Sequence, residues 1–333
     1  MSGTVILTGA NSSVGLHAVN HLLEDYPQST AILTVRNATD SDVNTNSLRS
    51  IVSQYSNARV SIVEVDLSDL SAVHKFADNL SASIAAGEYP PLEAIICNAF
   101  YWNLIADPQL SIDGYEITMQ VGHISHSALV LRLLDRFGPD GGRVETLSSI
   151  AHYRRKNSMT QFPPEIPSDL NQLVVPPPNE DKQGWGSHLY GTSKLIITIW
   201  TYALNRYLQN DPKLSNITAV AINPGNLMDS RAYRTNTPTS LRVMARYLMQ
   251  PLLPFIRRFL DNQFRPSSAA AIDIIDLGLG KAHAGERGYF TLLDKDEPDS
   301  AALDEEIQNQ IWAKSMEWAK ITKDNCSLTA AFG

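Results

Sequence analysis

Cysteine is nearly absent from this chain: Cys97, inside an apolar run, and Cys326, near the C-terminus, are the two in 333 residues. Two thiols so placed build neither a disulfide framework nor a zinc ligand set, which predicts a reducing, cytoplasmic setting and no structural metal. Positive charge is also scarce, with 27 Lys and Arg against 35 Asp and Glu and a formal net charge of −8. That balance leaves no electrostatic footprint for a nucleic acid. No stretch is apolar and uncharged for the length of a transmembrane segment. The strand-like TVILT at 4–8 follows Met1 so closely that a secretory leader has no room. With 43% hydrophobic residues the chain can still bury a large core. No internal repeat or change of composition marks a linker, so residues 1–333 are expected to form a single domain.

Short β-branched runs alternate with longer helical patterns. The runs are TVILT at 4–8, AILTV at 31–35, VSIVEV at 60–65, AIICN at 94–98, RVETLS at 143–148 and ITAVAIN at 217–223, with GYFTLL at 288–293 as a seventh candidate. Helical patterns occupy 14–25, 71–85, 114–137 and 191–210. Strands separated by helices imply crossover connections, hence an α/β Rossmann fold with a doubly wound, mostly parallel sheet of about seven strands. Two segments break the rhythm. Residues 153–187 are rich in Pro, Asn and charge, and 229–266 carry the apolar stretch VMARYLMQPLLPFIRRFL.

The first run ends in TGANSSVG at 8–15, and a helix begins near Val14. A helix N-terminus attracts phosphate through free backbone N–H groups and the dipole, and small residues let a pyrophosphate approach. Thr8, Gly9, Asn11, Ser12, Ser13, Val14 and Gly15 are therefore candidate cofactor contacts, although Ser13 stands where a glycine-rich dinucleotide loop has a further Gly. After the second run comes Arg36, where an acidic residue would suit an NAD ribose and a cation suits the NADP 2′-phosphate. Arg36 points to NADP(H), or is an ordinary solvated charge. Asp66, with Leu67, follows the third run and either holds an adenine amino group or caps the next helix. Far downstream, YGTSK at 190–194 puts Tyr190 and Lys194 on one helix face, where an ammonium can lower a phenol pKa of about 10.

TGANSSVG, VDLSD, CNAF, LSS, YGTSK and NPG occur in the order and approximate spacing of the short-chain dehydrogenase/reductase superfamily, which most of the chain resembles. DGYEITMQVGHISHSALVLRLL and the long gap before the Tyr are similar to the retinol dehydrogenase, protochlorophyllide reductase and fungal 3-ketosteroid reductase group, and insert-bearing fungal reductases of secondary metabolism look closest. The resemblance implies that Tyr190 is the general acid, that Lys194 holds the nicotinamide ribose, and that Ser149 bonds the substrate oxygen, with Ser148 as the alternative. It also implies cofactor contacts at Asn98 and Ala99, with Phe100 in place of a usual Gly, and at Pro224, Gly225 and Leu227.

Two departures bear on mechanism. Gly122 replaces a helix Asn that helps hold a water beside the Lys, while His123 and His126 lie one turn apart nearby. A carboxylate, Asp229, stands where a Thr usually meets the nicotinamide carboxamide, with Ser230 beside it. Tyr190 lies 41 positions after Ser149, so the 153–187 insert is expected to fold by the catalytic mouth. It contains Phe162, Pro176, Pro177, Pro178, Trp185 and His188. The 229–266 segment is expected to form the other wall as a substrate lid or subunit contact. Its flanking arginines suit a membrane surface, but Pro251 and Pro254 are expected to interrupt any continuous amphipathic helix.

The expected activity is NADPH-dependent reduction of a ketone or aldehyde, or the reverse oxidation, on a bulky apolar molecule such as a polyketide, terpenoid or steroid-like compound. A non-redox cyclase or isomerase using Tyr190 and Ser149 is the alternative, and a catalytically dead NADP-binding protein a third. Partners are expected to be a hydrophobic small molecule and no nucleic acid, with monomer and homodimer both open.

Overall fold

The structure is a computed structural model that describes residues 3–155 and 162–332; positions 156–161 of the expected insert lie outside the described residues. Its strands are β1 (Thr4–Leu7), β2 (Thr30–Val35), β3 (Arg59–Glu64), β4 (Leu92–Cys97), β5 (Gly142–Leu147), β6 (Ile217–Asn223), β7 (Gly288–Thr291) and β8 (Asp294–Asp296). They form one sheet in the order β3-β2-β1-β4-β5-β6-β7-β8, parallel through β7, with β8 turning back antiparallel as an edge hairpin. The sequence pattern missed β8 because its three residues, Asp-Lys-Asp, are all exposed and carry no apolar alternation.

The helices are α1 (Ser13–Asp25), α2 (Val43–Val52), α3 (Leu70–Ala85), α4 (Ile117–Met119), α5 (Ser125–Leu131), α6 (Lys182–Asn210), α7 (Thr239–Met244), α8 (Gln250–Phe259), α9 (Ser267–Gly278) and α10 (Glu305–Trp318). Alternate side chains of each central strand feed two cores. Val5 and Leu7 pack with α1, α2 and α9 on one face, while Ile6 packs with α3, α5, α6 and α10 on the other. Strands buried on both faces read as continuous apolar runs, which is why they were visible in the sequence.

Chain order reverses between β1 and β4, so a crevice opens there beyond the carboxyl ends of the strands. The loops after β1, β4, β5 and β6 all arrive at that edge. Among the described residues no helix is long and apolar enough to cross a membrane.

Three expected elements are corrected. Helix α6 starts at Lys182, nine residues before the expected 191, with the Asp181 carboxylate accepting from the Gly184 amide at 2.8 Å. Glycines at 184, 186 and 191 read as loop, yet they serve packing: a Cβ on Gly186 would lie 2.0 Å from the Asn103 carbonyl oxygen. The expected 114–137 helix begins at Ile117, capped by Glu116, and passes through a π-turn at Gln120–Ile124 before ending at Leu131. Finally, Pro251 and Pro254 do not interrupt the 239–259 helix, because a π-turn at Ala245–Met249 joins α7 to α8. The widened turn gives Pro251 room for its ring, and the carbonyl freed at Pro254 lies on an exposed helix that water can serve.

Candidate active site

Helix α1 begins where the turn after β1 tightens. Gly9 adopts φ +62°, and a Cβ there would come within 3.1 Å of Ala99. A Cβ on Gly15 would lie 2.6 Å from the carbonyl oxygens of Gly9 and Ala10, so only glycine lets the helix start this close to the strand. Ser12 caps the helix by accepting from the Gly15 amide at 2.9 Å. The Asn98 side-chain amide ties the end of β4 to this turn, 2.8 Å from the Thr8 carbonyl and 3.2 Å from that of Gly9. The Ala99 amide donates to Thr8 Oγ1 at 3.0 Å.

Above the turn lies a cavity of about 260 Å³. Of the residues expected from sequence it gathers Ser12, Ser13, Val14, Asn98, Ser148, Ser149, Tyr190, Lys194, Pro224, Gly225 and Leu227. Thr8, Gly9, Asn11, Gly15 and Ala99 build the turn behind it, while Arg36, Asp66 and Leu67 stand at the ends of β2 and β3 beyond its lining. Arg36 is exposed. Asp66 is not the helix cap: Asp69 caps α3 through the Ser71 and Ala72 amides, and Asp66 accepts from the Ser68 amide and hydroxyl. Leu67 buries its side chain in the core, and its carbonyl accepts from Ser125 Oγ at 2.6 Å.

Geometry separates the two candidate serines. Ser148 Oγ pairs with Thr198 Oγ1 at 2.8 Å, away from the phenol, whereas the Ser149 hydroxyl hydrogen-bonds Tyr190. Both belong to the cavity wall, but Ser149 faces the reactive phenol. Lys194 Nζ is buried, donates to the Leu147 carbonyl at 2.7 Å, and lies 5.6 Å from the centroids of both the Tyr190 and Phe100 rings. Burial brings the Lys194 pKa down to about 8. It also pushes the Tyr190 phenol up to about 12, with the Ser149 bond pulling the other way. The expected lowering of the phenol pKa by Lys194 is therefore outweighed by desolvation.

Phe100, in the place of the usual Gly, meets the edge of Tyr190 at a centroid distance of 5.8 Å, and Trp102 meets it at 5.7 Å. Tyr233 packs on Trp102 at 5.4 Å. Neither Trp102 nor Tyr233 was singled out from the sequence. Trp102 lies just past CNAF, which was a usable signal; Tyr233 sits in the 229–266 segment, where nothing local marks it.

Arg231 was missed as well. Its amide donates to Ser13 Oγ at 2.9 Å, and its guanidinium donates to the Asn11 carbonyl and the Asn44 side chain. It thus bridges the glycine turn and α2, using the hydroxyl that replaced the glycine at 13. Asp229 is corrected in the opposite sense. Its carboxylate accepts from the amide of Ser267 at 3.0 Å and its hydroxyl at 2.7 Å, capping α9, and does not line the cavity; Ser230 does.

Gly122 lies in the π-turn with its α-carbon against α6, where a Cβ would be 3.2 Å from Ser193 Oγ. His126 Nε2 is 2.9 Å from Thr8 Oγ1, and His123 Nε2 is 2.7 Å from Ser315 Oγ. Burial lowers both imidazoles to about 3, so they are neutral packed residues rather than proton carriers. In the insert, Trp185 stacks on His188 at 4.4 Å and donates to the Pro177 carbonyl, fastening the proline run to the start of α6.

A larger groove of about 450 Å³ lies at the opposite, N-terminal end of the sheet. Its Arg143 donates to four backbone carbonyls, and its Glu93 accepts from the Gly3 amide, so it presents no reactive group. Among the described residues no cluster of His, Cys, Asp and Glu could hold a metal.

The KR domain family matches residues 3–106, and the AcuH dehydrogenase domain family matches residues 229–328. Over its whole length the chain is similar to the short-chain dehydrogenase iccH of Talaromyces variabilis, 24% identical with 98% of each chain covered. It is 35% identical to the dehydrogenase acuH of Aspergillus aculeatus over 29% of this chain and 98% of that one. The NADPH-bound carbonyl reductase from chicken fatty liver has a similar fold, with a TM-score of 0.58, 16% identity and coverage of 89% of this chain and 99% of that one. With the glycine turn, the switch-point crevice and the Ser149–Tyr190–Lys194 cluster in place, these likenesses identify the chain as a member of the short-chain dehydrogenase/reductase superfamily.

Proposed function

We propose that the protein is an NADPH-dependent reductase of a ketone or aldehyde on a bulky apolar molecule, of the polyketide, terpenoid or steroid-like kind, acting as a single domain in the cytoplasm. The observation that carries this reading is the convergence of Ser149, Tyr190 and Lys194 on a cavity otherwise walled by Phe100, Trp102, Leu227 and Tyr233.

The residues present fit the dinucleotide. Amides in the first turn of α1 have no intrahelical partner, and those of Ser13 and Val14 border the cavity, where a pyrophosphate would lie. Arg36 and Arg231 flank the glycine turn and suit the phosphates, Asp66 suits the adenine, and Lys194 suits the nicotinamide ribose. The NADPH in the chicken carbonyl reductase is consistent with this choice. When bound, NADPH supplies the hydride that reaches the carbonyl carbon.

Everything else falls to the protein. Ser149 donates a hydrogen bond to the carbonyl oxygen and fixes its place. Tyr190, with a pKa near 12, is protonated at neutral pH and gives its proton to the oxygen as alkoxide character develops. Lys194 is charged below about pH 8 and favours the phenolate that remains. The aromatic edges around Tyr190 keep water from the phenol.

A redox-neutral cyclase or isomerase drew its support from Gly122 and Asp229. Asp229 is occupied in capping α9, which removes that motive. The test is titration with NADPH and with NADH by cofactor fluorescence, alongside Arg36→Ala, followed by NADPH consumption on a panel of bulky ketones. Preferential NADPH binding that Arg36→Ala weakens, with stoichiometric consumption, is expected. Product formed without loss of NADPH absorbance would refute the reductase.

A further inference from the structure

The helix over 239–259 takes no part in the cavity chemistry, yet it is built in an unusual way for a surface element. Met244, Leu248, Leu252, Phe255 and Phe259 follow one another at spacings of four, four, three and four, which places them on one stripe. All five are between 44% and 68% exposed. Val243, Tyr247 and Leu260 extend the exposed apolar area. The opposite side is the one that packs: Ala245 and Ile256 are buried, and Gln250 donates to the Met228 carbonyl at 2.7 Å.

Four arginines, 242, 246, 257 and 258, border the stripe, and no Asp or Glu occurs from 239 to 260, in a chain whose net charge is −8. Arg246 lies over the Tyr247 ring and Arg258 over the Phe259 ring, each at 5.6 Å, so the cations stay beside the apolar stripe. An apolar stripe with aromatic side chains, edged only by cations, matches a bilayer interface that carries anionic headgroups. A symmetric contact with a second copy fits poorly, because it would set this all-cationic border against itself with no carboxylate in the segment.

We propose that this helix docks the enzyme on an anionic lipid surface, lying in the interface rather than crossing it. The Gln250–Met228 bond places the docking helix one residue from Leu227 in the cavity wall. An apolar substrate dissolved in the bilayer then has a short path to the site.

The test is flotation of the full chain with phosphatidylcholine vesicles and with vesicles that also contain phosphatidylserine. Binding only to the anionic vesicles, released by salt, is expected. The double variant Arg242→Gln/Arg246→Gln should lower partitioning about 30-fold, roughly five-fold for each charge. Phe255→Ser/Phe259→Ser should abolish binding while leaving the far-UV circular dichroism and melting curve of the protein in place. Failure of the unaltered chain to float, or equal binding by both double variants, would overturn the proposal. So would a dimer by light scattering that Phe255→Ser/Phe259→Ser converts to monomer, since that result assigns the face to a second copy.

Discussion

The catalytic wall and the segment after β6 border the same cavity but are held in different ways. Ser149 follows the end of a central strand, while Tyr190 and Lys194 belong to a 29-residue helix running through the core, and Lys194 is fastened to the β5 backbone. The 229–260 segment hangs instead from single points: Arg231 on the glycine turn, Gln250 on Met228, and the Trp102 indole on the Ala232 carbonyl. Rigid elements fix the reacting groups, and a tethered strap carries recognition. Substitutions in the first should damage chemistry or stability, and those in the second should damage binding.

The largest effect is expected from Tyr190→Phe, which should lower kcat/KM by about 10²–10⁴-fold while NADPH fluorescence titration remains near normal. Loss of cofactor binding instead would place Tyr190 in the structural scaffold. Next is Gly186→Ala, which drives a methyl into the Asn103 carbonyl and should cost about 1–3 kcal/mol in urea unfolding. An unchanged midpoint would mean that the start of α6 yields as easily as the strap. On the strap, Arg231→Ala should raise the NADPH dissociation constant about tenfold, or ~1.4 kcal/mol, with little change in kcat at saturating cofactor. A fall in kcat alone would erase the division between the two regions.

The mildest test is pH. Burial lowers the Lys194 pKa to about 8 and raises that of Tyr190 to about 12, so raising the pH neutralises Lys194 first. Reduction should be half-maximal near pH 8 and decline above it, with Tyr190 still protonated. A limb near pH 10 in place of that decline would show Lys194 to be solvated and the wall less dry than drawn.

Strand positions were legible to within two residues, because parallel strands buried on both faces leave β-branched runs. TGANSSVG and YGTSK were legible for a related reason: each sets its geometry within a few residues. Helix α6 was misread at its start because glycine signals a loop locally, whereas Gly184, Gly186 and Gly191 answer to chain segments far away in sequence. The joined helix at 239–259 was misread because the proline rule ignores what a π-turn can absorb. Arg231, Trp102 and Tyr233 belong to the site through the meeting of loops after β4 and β6, a tertiary event with no local period. Asp229 has the reverse history, since its place after NPG suggested a cofactor contact and the fold gives it to α9.

The π-turn at Gln120–Ile124 carries one residue more than an α-helix would need over the same rise. Seen as an insertion, it sets the phase of everything that follows. Deleting Val121 would restore an even helix and rotate α5 by about 100° about its axis. His126 would leave Thr8, and Ser125 would leave the Leu67 carbonyl, so the turn after β1 and the loop after β3 would both lose an anchor. Helix phase at this point is therefore a single-residue variable that couples two neighbouring loops of the crevice, and a length change there would act on both together.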